Sequence, residues 1–232
     1  MRAETEAVHG WESRLETLTS AWRTLAEHER AHDAEAVTRW VNRLEQMRAG
    51  QRELVRAGHW RGGPRTLLAA LDQQYRELAM TAGLAWLLRT DGHHGLGPTV
   101  LGGLLGHLGI AGSGLEVGVR VVLEGQRDET RADLVVYGGD WTIVVEAKTF
   151  AVEQDRQLDR LHAHWRNEPA PCFVFLTRGP QLQTTAEDSR GQWRALTWAQ
   201  VADIARAAAT SMPGAAPGVH DYIATLEAYH RV

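Results

Sequence analysis

Lysine is almost missing from this chain. Of its 25 lysine and arginine residues only Lys148 is a lysine. An Ala-, Gly- and Arg-rich composition points to GC-rich codon usage, which accounts for the missing lysines and not for the one that remains. Cysteine is equally scarce. Cys172 stands alone in the apolar run Cys172-Phe173-Val174-Phe175-Leu176, so no disulfide can form within one chain, and a buried strand thiol in a reducing cytoplasm is expected. No apolar run approaches the length of a membrane span, and the first residues, MRAETEAVHG, lack the apolar core of a signal peptide. The expectation is a cytoplasmic protein with no membrane partner. A large excess of positive charge is absent too. With a net charge of -4 the chain is no polycation, so any contact with nucleic acid must come from local arginine patches. Its 232 residues, 44% apolar, allow one domain with an elaboration or two small ones.

What is present concentrates in Arg131 to Thr149, RADLVVYGGDWTIVVEAKT. Leu134 and Val136, then Ile143, Val145 and Ala147, alternate with period two on either side of the turn signal Gly138-Gly139-Asp140, which reads as strand, turn, strand. With Gly139 and Asp140 as a two-residue loop, Gly138 pairs with Trp141 and, counting outward, Asp133 pairs with Glu146. Opposed side chains sit about 4.5–5.5 Å apart at Cβ, and Lys148 shares the face of Glu146. Like charges so placed destabilise a hairpin. A divalent cation such as Mg²⁺, at about 2.0–2.1 Å from carboxylate oxygens, would compensate them.

An isolated E-x-K is usually a solvated Glu/Lys pair. Here Val135, Tyr137 and Val144 lie on the same face as the charges, so both faces are largely apolar and the hairpin reads as the buried centre of a sheet. Buried charge is costly unless it is paired or binds metal. Lysine, unlike arginine, can lose its proton when desolvated, which suits a residue that handles a proton or orients water.

Around this stretch the chain reads as follows. Leu15, Leu18, Trp22 and Leu25, then Val37, Trp40, Val41, Leu44 and Met47, predict two amphipathic helices that form a hairpin with its break at Ala31-His32-Asp33. That hairpin, residues 1–62, is packed on the domain or serves as an arm for a homo-oligomer or a partner protein; His28 and His32 read as a solvated helix face. Arg61-Gly62-Gly63-Pro64-Arg65 marks the boundary, and residues 63–232 form the second domain. A long helix from about Arg65 to Arg89 carries Leu68, Leu71, Tyr75, Leu78, Ala82 and Ala85 on its stripe, with Glu77 at the stripe's edge. His93 and His94, in a glycine loop, are adjacent positions that rarely aim at one ion. A short helix after Pro98, a strand from Leu115 to Glu124 with Val117 on its buried face, and the central hairpin follow. Then come a helix from Val152 to Asn167 with Glu153 and Gln157 one turn apart, strands at Cys172–Thr177 and Trp193–Thr197, a helix at 199–209, and a terminal helix opened by Asp221 as N-cap and running to about Arg231.

The order helix, three strands, helix, strand, with Asp133 on the second strand and Glu146-Ala147-Lys148 on the third, resembles the PD-(D/E)XK nuclease superfamily. Leu84-Ala85-Trp86-Leu87-Leu88 followed by His94-Gly95-Leu96-Gly97 is similar to the opening of one bacterial branch of it, and Gln157-Leu158 resembles its helix QL motif. The resemblance covers roughly Leu67 to Leu176. It implies an α/β fold with a restriction-endonuclease-like core (αβββαβ, a mixed central sheet flanked by helices) and a Mg²⁺- or Mn²⁺-dependent endo- or exonuclease, acting on DNA ahead of RNA. On matching positions it implies Asp133 and Glu146 as metal ligands, the backbone carbonyl of Ala147 as a further contact, Lys148 to orient or activate water, and Gln157 to support the site. Glu77 matches a helix glutamate that adds a metal contact in some members. Ala132 replaces the proline of the motif's name, which is not a reacting group. Restriction or phage defence is the role suggested by analogy.

A rival of a different class is a catalytically retired nuclease fold that binds nucleic acid or protein within a larger complex. The intact Asp, Glu and Lys favour the enzyme. Arg61, Arg65, Arg127, Arg131, Arg156 and Arg160 are the candidates for a path along the phosphates.

Overall fold

In a computed structural model the chain divides into two units, Met1–Gly62 and Gly63–Val232. The structure describes residues 2–111, 115, 118–150, 153–180 and 183–230, with side chains from residue 14 onward. The first unit is one helix, α1 (Arg2–Arg56). The expected hairpin is absent, and its break at Ala31-His32-Asp33 is helical throughout. Between Gly10 and Gly50 the sequence has neither glycine nor proline. Nothing there supplies the left-handed residue or the missing N–H that ends a helix.

The second unit is built on five strands, β1 (Arg120–Arg127), β2 (Thr130–Tyr137), β3 (Thr142–Ala147), β4 (Pro171–Thr177) and β5 (Trp193–Thr197), in the order β1-β2-β3-β4-β5. β1, β2 and β3 are antiparallel, and β3, β4 and β5 are parallel. The two antiparallel connections are short turns. The parallel step from β3 to β4 needs a crossover, supplied by α5 (Gln157–Trp165). Val117, expected in the first strand, lies outside the described residues, as do Val152 and Arg231 at the ends of two expected helices.

Alternation along β2, β3 and β4 sends side chains to two cores. Leu134, Val136, Ile143, Val145, Ala147, Cys172, Val174 and Leu176 pack on helices α3 (Glu77–Leu88), α4 (Thr99–His107), α6 (Trp198–Ser211) and α7 (Pro217–Tyr229). Val135, Val144, Phe173 and Phe175 face the other way, onto Leu158, Leu161 and Trp165 of α5. All six residues of β3 are buried, as a central strand covered on both faces requires. Among the described residues no helix is long and apolar enough to cross a membrane.

The long helix expected from Arg65 to Arg89 is interrupted. α2 (Leu67–Ala70) ends with Asp72 at φ 56°, where the Asp72 N–H donates to the Ala69 carbonyl (3.2 Å) and the Gln73 N–H to the Leu68 carbonyl (2.7 Å). This pair of bonds is a Schellman stop with aspartate in place of the usual glycine, so nothing in the apolar pattern announces it. α3 then starts afresh at Glu77. Asp221 is also displaced from its expected role: it lies inside α7, which opens at Pro217, and its carboxylate accepts the Leu67 N–H (3.0 Å) at the start of α2.

Candidate active site

The β2–β3 ladder pairs Tyr137 with Thr142, Val136 with Ile143, Val135 with Val144 and Leu134 with Val145, and the Gly138 N–H donates to the Trp141 carbonyl across the Gly139-Asp140 loop (2.9 Å). One further step at this register sets Asp133 opposite Glu146. There the backbone ladder gives way to a side chain, and Asp133 Oδ2 accepts the Ala147 N–H at 2.8 Å. On the far side of β2, Glu124 lies between the rungs Leu123–Leu134 and Gly125–Ala132 with a left-handed φ of 48°.

Glu146 is 1% exposed. Its Oε1 accepts both the Lys148 ammonium and the Gln157 amide at 2.6 Å, while Oε2 is buried with no hydrogen-bond partner among the described residues. Lys148 is held at both ends of its backbone unit: its N–H donates to the Leu176 carbonyl (2.7 Å) and its carbonyl accepts the Trp198 indole N–H (3.3 Å). That anchoring aims the side chain back along β3 at Glu146. Gln157, the first residue of α5, also accepts the Gln154 N–H (3.2 Å), so its amide is oriented by the loop before the helix. Glu77 comes from the first turn of α3, where the helix dipole favours a carboxylate, and its Oε1 accepts the Thr149 N–H at 3.0 Å.

These groups meet in a cavity of about 260 Å³ lined by Glu77, Asp133, Glu146, Lys148, Gln154 and Gln157, with Glu129, Thr130, Arg131 and Arg160 around them. Every side chain singled out from the sequence as a catalytic or metal-binding candidate is therefore at one place. Its charge is unbalanced. Burial, then the neighbouring Asp133, push the Glu146 carboxyl up to about 8, with Glu77 adding to the effect; burial likewise raises Asp133. Burial alone would pull the Lys148 ammonium down, but Glu146, Glu77 and Asp133 outweigh it and hold Lys148 above its ordinary value. Without a bound cation the three carboxylates thus favour the charged form of Lys148.

The donor set fits a hard divalent cation. Four carboxylates, Glu77, Glu129, Asp133 and Glu146, line the cavity with Lys148, Arg131 and Arg160, and Glu146 Oε2 is an acceptor with no donor among the described residues. Among the described residues no three His, Cys, Asp or Glu side chains close on a single point as a ready-made metal cage. Mg²⁺ does not require one, since it is commonly held by one or two carboxylates with water and substrate phosphate.

Other candidates resolve into structural roles. His94 is buried with both ring nitrogens engaged, Nε2 with the Arg89 carbonyl (2.7 Å) and Nδ1 with the Leu96 N–H (3.0 Å), and its ring meets Trp86 edge-on. The His94-Gly95-Leu96-Gly97 motif is a turn. Gly95 has φ 75°, and a Cβ there would lie 2.4 Å from the Gly214 carbonyl oxygen. Glu153 does not share a helix with Gln157 as expected, because α5 begins only at Gln157, and its carboxylate accepts from Thr184 and Thr185. Arg127 pairs with Glu168, Arg156 with Asp188 and Arg131 with Glu124, and of the six arginines Arg131 and Arg160 are the two that line the cavity. Glu129, Thr130 and Gln154 escaped the sequence reading, because the turn and the pre-helix loop that bring them in have no periodicity to follow.

No curated protein and no solved structure matches the chain significantly. A family model does match, over residues 66–217, a span that takes in Glu77, both strands of the central hairpin, Gln157 and all five strands of the sheet. With that match over well more than half its length, the chain belongs to the PD-(D/E)XK nuclease superfamily.

Proposed function

We propose that the chain is a Mg²⁺- or Mn²⁺-dependent phosphodiesterase that hydrolyses nucleic acid, DNA ahead of RNA, in the cavity formed by Asp133, Glu146 and Lys148. One observation carries this reading: a buried carboxylate oxygen without a partner among the described residues, Glu146 Oε2, beside a second carboxylate and a lysine in one cavity. Asp133 and Glu146 are the cation's side-chain donors, with the Ala147 carbonyl and Glu77 as supplementary ones. The cation supplies polarisation of the scissile phosphate and a lowered pKa for the attacking water. The protein's own groups do the rest. The Lys148 ammonium stands 2.6 Å from Glu146 Oε1, placed to hold water or a phosphate oxygen at one point and to offset charge that develops on the phosphate. Gln157 holds the same oxygen from the other side and so keeps Oε2 turned away from the lysine. Arg131, which pairs with Glu124, and Arg160 line the cavity and are suited to contacts with phosphate.

The retired-module alternative would tolerate loss of any of these groups, and their joint presence supports the enzyme. Restriction or phage defence is the role we assign by analogy with the superfamily, in a cytoplasmic setting consistent with the single buried thiol Cys172. The test is to incubate the pure protein with labelled single- and double-stranded DNA and RNA, linear and circular, in Mg²⁺, Mn²⁺ or EDTA. Cleavage in either metal and none in EDTA is expected. An inert panel combined with no Mn²⁺ binding would leave the retired module as the reading.

A further inference from the structure

The helix α1 carries its large apolar side chains in the open. Leu15, Leu18, Trp22 and Leu25 are exposed, as are Val37, Trp40, Leu44 and Met47, with Trp22 at 71% and Trp40 at 62%. Water tolerates single exposed apolar residues, but a stripe of this length marks a contact surface.

The order of the stripe says what covers it. Leaving out Val41, whose counterpart is Ala21, both clusters have steps of three, four and three residues, and these eight residues form a palindrome about Ala31: Leu15 is as far from Ala31 as Met47, Leu18 as Leu44, Trp22 as Trp40, and Leu25 as Val37. Ala26 and Ala36, and Glu29 and Asp33, continue it through the middle. At about 100° per residue all of these fall on one side of the helix. In heptad terms, with a at 26, 33, 40 and 47 and d at 15, 22, 29 and 36, the pairs Leu15–Met47, Trp22–Trp40, Ala26–Ala36 and Glu29–Asp33 each join an a position to a d position, the layer that an antiparallel coiled coil requires, and Leu18, Leu25, Val37 and Leu44 fall on the flanking g and e positions. A chain folded back at Ala31 would satisfy every pair by itself. The helix instead runs unbroken from Arg2 to Arg56, so the same contacts must be made with another helix of the same spacing, and a second copy of this chain has it.

We infer that α1 is a dimerisation element that pairs antiparallel with α1 of a second copy, with the two-fold axis level with Ala31, the layers Leu15–Met47, Trp22–Trp40 and Ala26–Ala36 each made twice, and Leu18, Leu25, Val37 and Leu44 flanking them. The area suffices. Two tryptophans at about 150 Å² each and six aliphatic or thioether side chains at roughly 60–120 Å² each give on the order of 800 Å² per copy, the size of a standard stable interface. The centre is unfavourable: Glu29 of one helix faces Asp33 of the other, and like charges so placed lower the affinity of the pair. The particle then carries two nuclease units. This inference does not depend on whether the nuclease unit is active.

Sedimentation of the full chain between about 1 and 100 μM tests it. The expected result is a species of twice the chain's mass that becomes monomeric in Trp22→Glu/Trp40→Glu, while the thermal transition of the second unit is unchanged. Orientation is read by thiol cross-linking, in which Cys172 takes no part because it is buried. Leu15→Cys mixed with Met47→Cys should cross-link at least tenfold more than either variant alone. Glu29→Gln/Asp33→Asn should tighten the dimer at low salt by about tenfold or more. A monomer across the whole range overturns the proposal, and cross-linking of each single variant with itself overturns the antiparallel register. Association that survives the double tryptophan substitution places the interface elsewhere and overturns it as well.

Discussion

Glu146 concentrates the physical problem of this protein in one side chain. Its folded carboxyl titrates at about 8 instead of 4.5. Between those values the folded protein holds a proton that the unfolded chain releases, so without a cation stability falls as pH rises through that window. In EDTA the melting temperature should therefore drop by several degrees from pH 5 to pH 8, and Mn²⁺ at pH 8 should restore it. Glu146→Gln should flatten the profile and melt no lower than wild type in EDTA at pH 8; a clear loss there would mean that the carboxylate is a structural ion-pair partner and not a cation ligand. Lys148 gives a second test at this scale. Lys148→Arg preserves charge in a chain that otherwise uses arginine throughout, yet a planar guanidinium does not fit where a buried ammonium sits 2.6 Å from Glu146. Cleavage by Lys148→Arg should fall about 10² to 10³-fold, close to Lys148→Ala, while binding to nucleic acid in Ca²⁺ persists. A near wild-type rate in a gel assay would reduce Lys148 to a plain charge. Asp133, Glu146 and Lys148 could be placed together from the sequence because a two-residue turn fixes the register of everything that follows. Glu129 and Gln154 could not, since they arrive on segments whose path is set by the tertiary fold.

At the scale of elements the sheet was legible and the helix ends were not. Period-two runs and the tight Gly139-Asp140 turn determine which strand residues face which core, and they do so locally. Helix limits depend on distant partners. α2 stops at a left-handed Asp72, and its first N–H is capped by Asp221 from α7, 154 positions away in the sequence. The opposite error, the break placed at Ala31-His32-Asp33, came from taking a change in polarity for a change in backbone direction. The packing of α3 on α7 makes a prediction of its own. A Cβ at Gly83 would lie 2.3 Å from the ring of buried Tyr222, whose hydroxyl is tied to the Met80 carbonyl at 2.7 Å. The ring cannot step aside without giving up that bond. Gly83→Ala should destabilise the nuclease unit by about 1–3 kcal/mol, measured as a lower urea midpoint; an unchanged midpoint would mean that the two helices separate freely.

For the molecule as a whole, two parts answer to different tests. The family match begins at residue 66 and leaves α1 outside it, so the state of association and the chemistry can fail independently. The chemistry rests on one claim, that Asp133 and Glu146 hold the cation at which a phosphodiester is cut. The most direct measurement is the single-turnover cleavage rate of the best substrate at saturating Mn²⁺, for wild type and Asp133→Asn side by side. Wild type should cut and be stopped by EDTA, and Asp133→Asn should lose at least about 10²-fold in rate while keeping its fold. Equal rates for the two proteins, or cutting by wild type that EDTA leaves unchanged, would contradict the account.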